Sequence, residues 1–97
     1  MTADGRKLIK LIGKGEGIDL EFKSSRNQLN RDVYETVCAF LNRHGGTILL
    51  GLTDSGDIQG IEQDAISQIK KDFVTTINNP QKIHPPAYMT IDEMAVE

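Results

Sequence analysis

One cysteine, no run of apolar residues long enough to cross a bilayer, and no excess of basic over acidic side chains are the first features of this sequence. A lone Cys38 offers no partner for a disulfide within the chain and suits a reducing compartment. The opening Met1-Thr2-Ala3-Asp4-Gly5-Arg6 has no basic stretch leading into an apolar segment, so a cytoplasmic protein without a secretory signal or membrane span is expected. With 11 Lys and Arg against 14 Asp and Glu, the net charge of −3 excludes a uniformly cationic polymer binder. It leaves room for a local basic face, because Lys7, Lys10, Lys14, Lys23, Arg26, Arg31 and Arg43 all lie in the first half. No internal repeat or low-complexity tract is present.

What is present is an ordinary globular composition, 38% apolar and 26% charged, over 97 residues, enough for one small hydrophobic core. A single domain over 1–97 is expected. Leu8, Ile9, Leu11 and Ile12 among Lys7, Lys10 and Lys14 predict a short helix over 6–14, stopped by Gly13, Gly15 and Gly17. From Ile18 the period changes to two: Ile18, Leu20 and Phe22 face one way, Asp19, Glu21 and Lys23 the other, as in a strand with one buried face. A polar loop over 24–30 follows, with Asn30 placed to cap the next helix.

Val33, Val37, Phe40 and Leu41 recur at helical spacing over 31–43, and Gly45-Gly46 ends that helix. Thr47-Ile48-Leu49-Leu50-Gly51-Leu52 reads as a central strand covered on both faces. Asp54-Ser55-Gly56-Asp57 is turn chemistry leading into a short strand at Ile58–Ile61. Ile66, Ile69, Phe73 and Ile77 predict a further helix over 62–78, and Pro85-Pro86 leads to a last strand around Tyr88–Ile91. The expectation is an α+β fold: a mixed sheet of about four strands with helices packed on it, in the order α-β-α-β-β-α-β.

Three carboxylates stand out: Glu16 just before the first strand, Glu21 within it and Asp54 directly after the central strand. If the first and second strands are parallel neighbours, these residues can approach one another as hard oxygen ligands for Mg²⁺ or Mn²⁺. Lys23 beside Glu21 would then help stabilise phosphate charge, as in metal-dependent nucleases. Equally, Glu21 and Lys23 can be a solvated ion pair and Asp54 a turn former. Gly13-Lys14-Gly15-Glu16-Gly17 is not a phosphate cradle, since a cradle follows a strand and opens a helix. Asp54 to Asp57 lacks the residue order of a calcium loop. Cys38 and Tyr34 belong to the helix stripe, and His44 and His84 stand alone, so all four are read as structural.

Taken together, Glu16, Glu21-Phe22-Lys23, Val37-Cys38-Ala39-Phe40-Leu41-Asn42, Gly45-Gly46 and Gly51-Leu52-Thr53-Asp54 through Gly56 to Gly60 resemble the Schlafen AlbA-like domain. The resemblance runs over roughly residues 7 to 91. Leu41 and Arg43-His44 depart from the usual residues of that pattern, a difference expected to affect packing. The resemblance implies a DNA-binding domain of a bacterial-type transcriptional regulator, a family also described with divergent AAA or RecG-like regulators. There the domain precedes a larger region, so this chain is expected to be a fragment. In that reading the nucleic acid is DNA ahead of RNA, no cofactor is needed, and Lys23, Arg26 and Arg31 contact phosphates. An alternative implied by Schlafen relatives is a Mg²⁺ or Mn²⁺ dependent nuclease using Glu16, Glu21, Asp54 and Lys23. A third is a homodimerisation or ligand-sensing module that does not touch nucleic acid.

Overall fold

The computed structural model of the chain describes residues 3–78 and 91–94. Its elements run α1 (Ala3–Lys14), β1 (Leu20–Lys23), α2 (Asp32–Leu41), β2 (Thr47–Leu50) and α3 (Gln63–Ile77). The fold is α+β, as the periodicities predict. Among the described residues, however, the sheet has two strands, paired in parallel, rather than the four of the expected mixed sheet.

The paired residues are Leu20 with Thr47, Glu21 with Ile48, Phe22 with Leu49 and Lys23 with Leu50. Paired residues of a parallel sheet share a face. Leu20, Phe22 and Leu49 therefore face α1, where they pack with Leu8 and Leu52 and are flanked by Leu11 and Ile12. On the opposite side, Ile48 and Leu50 pack against a second cluster of Val33 and Val37 from α2 and Phe73 and Ile77 from α3. Beyond the exposed Thr47, the apolar Ile48-Leu49-Leu50 of β2 is thus covered on both faces, as its composition requires. Full burial of side chains of this size stabilises by about 1.5–3 kcal/mol each. Tyr34 and Phe73 link the two helices, with ring centroids 6.2 Å apart.

Several expected boundaries move for identifiable reasons. Ile18 does not begin β1 but lies 69% exposed. The Gly17 N–H donates to the Leu20 carbonyl at 2.9 Å, which folds Ile18-Asp19 into a turn before the strand can start. Asn30 does not cap α2. Arg31 occupies the cap position without a side-chain cap bond, while the Asn30 amide donates to the Ser24 carbonyl at 2.9 Å and closes the preceding loop.

The strand expected at Ile58–Ile61 shrinks to one antiparallel bridge between Leu52 and Ile58. Both the Gln59 and Gly60 N–H groups converge on the Gly51 carbonyl, at 2.8 and 2.9 Å, so the segment curls instead of extending. The turn before it forms as expected: Thr53 N–H donates to the Asp57 carbonyl and its hydroxyl accepts from Asp57 N–H. The strand expected around Tyr88–Ile91 falls outside the described residues except for Ile91, which is not in a strand. His84 and Pro85-Pro86 also fall outside them.

Gly45 and Gly46 end α2 by two different physical means. Gly45 has φ of 89°, and its N–H donates back to the Phe40 carbonyl at 2.9 Å. Gly46 is needed for space: a Cβ there would lie 2.7 Å from the Phe40 ring and 2.9 Å from the Asp19 carbonyl oxygen. Gly46→Ala is therefore expected to destabilise the fold by about 1–3 kcal/mol. Gly13 lies inside α1 with nothing within 4 Å of its Cβ position, so Gly13→Ala should stabilise by up to about 1 kcal/mol. Urea unfolding of the two variants checks both signs.

Candidate nucleic-acid interface

Parallel pairing brings the ends of β1 and β2 to the same side of the molecule. Beyond Lys23 and Leu50 lie the 24–31 loop, the first turn of α2, the 51–60 hairpin and the start of α3. Ends of this kind, where strands give way to loops and helix N-termini, commonly carry binding residues.

The 24–31 loop is held by side chains that strand and helix periodicity does not reveal. Ser24 donates its hydroxyl to the Leu52 carbonyl at 3.3 Å. The buried Ser25 donates to the Gln28 carbonyl at 2.7 Å, so its polar atom is satisfied inside the fold. The Glu62 N–H, at the start of α3, donates to the Arg26 carbonyl at 2.7 Å. Arg26 and Arg31 are thus presented on an anchored loop, with both side chains exposed.

Lys23 has a different setting. Its Nζ lies 3.0 Å from Asp32 Oδ2 and 3.5 Å from Glu21 Oε1. The lysine side chain is 17% exposed, Glu21 29% and Asp32 53%. The expected open polar strand face is therefore half covered at the N-terminus of α2. The hydrogen bond to Asp32 is the largest cause of a Lys23 pKa above its ordinary 10.5; burial opposes it, and the charges of Asp32 and Glu21 reinforce it. Asp32 also sits in the first turn of α2, where a carboxylate is favoured by the helix dipole.

The three sequence-marked carboxylates part company. Glu16 reaches the outer edge of β1, where its Oε1 accepts the Phe22 N–H at 2.9 Å. It stands in for the backbone carbonyl a further strand would supply. Glu21 lies on the α2 side beside Lys23, and Asp54 is exposed in the hairpin turn. Among the described residues no group of three or more His, Cys, Asp or Glu could hold a metal ion. In this arrangement the trio does not fit Mg²⁺ or Mn²⁺ as one ligand set. Only a signal for strand-edge capping, a carboxylate just before a strand whose outer edge is open, could have foretold the place of Glu16.

The family described as Schlafen, AlbA_2 matches residues 16–97, and the chain belongs to that family. No solved structure matches the chain significantly. Among the described residues no helix is long and apolar enough to cross a membrane.

Glu16→Ala leaves the Phe22 N–H without its acceptor and should cost about 1–3 kcal/mol, whereas Glu16→Gln keeps an acceptor and should recover most of the loss in urea unfolding. Because the folded Lys23 pKa is raised, its contribution is complete below pH 10.5 and disappears as pH climbs through the higher folded value. The half-exposed Asp32 limits that contribution to about 1 kcal/mol or less. Denaturant unfolding between pH 9 and pH 12 should show a smaller alkaline loss in Asp32→Asn than in the unaltered chain.

Proposed function

We propose that the chain is the nucleic-acid-binding domain of a bacterial-type transcriptional regulator, acting on DNA ahead of RNA. Membership of the Schlafen, AlbA_2 family is the observation that carries the reading. The anchored 24–31 loop supports it by presenting Arg26 and Arg31 to solvent at the end of the sheet. In this proposal the two arginines contact phosphate oxygens, for which a planar guanidinium is well suited. Lys23 contributes chiefly by holding the first turn of α2 through Asp32, since its ammonium is already engaged there.

A metal-dependent nuclease has the local bonding against it. One Glu16 oxygen is occupied by the Phe22 N–H, and among the described residues no group of three or more His, Cys, Asp or Glu is placed to hold a metal ion.

Fluorescence anisotropy with a short labelled DNA duplex and a single-stranded RNA tests the reading. Binding should weaken steeply between about 50 mM and 200 mM salt. Arg26→Gln and Arg31→Gln should each reduce the slope of log K against log salt by about 1. No binding to either nucleic acid at the lower salt, or binding indifferent to salt, contradicts the proposal.

A further inference from the structure

The match to the family begins at Glu16, so α1 lies before it. Yet α1 is the most basic element of the chain. It holds Arg6, Lys7, Lys10 and Lys14, four of the 11 Lys and Arg residues, against one acidic residue, Asp4. At 3.6 residues per turn the four cations fall within about 100° of the helix circumference. All four are exposed. The opposite side carries Leu8, Leu11 and Ile12, which are docked on Leu20, Phe22, Leu49 and Leu52.

These cations are uncommitted, as are Arg26, Arg31, Arg43 and Lys71, and they are set apart by being gathered on one helix face. Lys23 is paired with Asp32 and Glu21, and Lys70 with Glu93 at 3.3 Å. Among the described residues no ion pair involves Arg6, Lys7, Lys10 or Lys14. The spacing along the axis from Arg6 to Lys14 is about 12 Å, enough to meet a few consecutive backbone phosphates. A lipid surface is the less suitable polyanion, because interfacial helices insert an apolar face and that of α1 is largely used in the core.

We infer that the outer face of α1, formed by Arg6, Lys7, Lys10 and Lys14, is a phosphate-contacting surface for a nucleic-acid backbone, additional to the Arg26 and Arg31 loop. This rests on the proposed nucleic-acid binding and locates its sequence-independent part. Contacts of lysine with phosphate position a protein on the polymer without reading bases.

The experiment compares four forms of the chain by anisotropy on one DNA duplex across about 50–200 mM salt. They are the unaltered chain, Lys7→Gln/Lys10→Gln/Lys14→Gln, the charge-matched control Arg43→Gln/Lys70→Gln/Lys71→Gln, and Lys7→Arg/Lys10→Arg/Lys14→Arg. Glutamine and arginine are both good helix formers on an exposed face, and circular dichroism verifies that each variant is folded.

The α1 glutamine variant should lose about tenfold or more in affinity at the lower salt, and its salt slope should fall by about 2–3. The control should change by less than half as much, and the arginine variant should retain the full slope. An α1 glutamine variant that binds like the unaltered chain overturns the inference while leaving nucleic-acid binding intact. So does an equal loss in the control, or a loss in the arginine variant. No binding by the unaltered chain overturns both readings. Binding of the unaltered chain to phosphatidylserine vesicles but not to the duplex, abolished in the α1 glutamine variant, reassigns this face to membranes.

Discussion

The parallel pairing of Leu20–Lys23 with Thr47–Leu50 determines both what the molecule buries and what it can offer a partner. The pairing sends Leu20, Phe22 and Leu49 toward α1 and Ile48 and Leu50 toward α2 and α3. A slip of one residue would exchange the two faces of β1, placing Glu21 and Lys23 in the cluster beneath α1. Two strands alone would leave β1 with an open outer edge. Gly17 and the carboxylate of Glu16 occupy that edge, bonding Leu20 and Phe22 respectively. Strand, edge cap and both helical layers thus depend on one another.

Charge has to be considered by location in such a protein. The chain is acidic overall, but the cations of its first 31 residues differ in physical role. Lys23 works within the fold, where Asp32 and Glu21 surround it. Arg26, Arg31 and the four cations of α1 are exposed, and no ion pair among the described residues involves them. A local basic face can act on a polyanion at short range even when the net charge is negative, because salt screens distant carboxylates beyond about 10 Å.

Elements whose sidedness follows from a single period were legible in the sequence. The stripe of Val33, Val37 and Phe40 in α2 and that of Ile69, Phe73 and Ile77 in α3 are buried as their spacing predicts. The both-faced burial of β2 also follows from its composition. Features set by backbone hydrogen bonds were less legible. The turn at Ile18-Asp19 and the curl after Ile58 depend on which carbonyl a given N–H finds, and residue type constrains that weakly. At the candidate site, the pairing of Glu21 with Lys23 was foreseeable, but Asp32 as the closer partner was not, because it comes from the next element. Likewise Glu16 has the residue type of a metal ligand and the bonding of a strand-edge cap.

In the proposed binding mode, the exposed, unpaired cations of α1 and the 24–31 loop form the surface that meets nucleic acid. Titrating the ¹⁵N-labelled chain with a short DNA duplex and following the backbone amide resonances tests that claim most directly. Progressive shifts concentrated in Arg6–Lys14 and in the 24–31 loop are expected, with α3 beyond its first turn largely unmoved. Shifts confined to α3, or a spectrum unchanged under excess duplex, would contradict it.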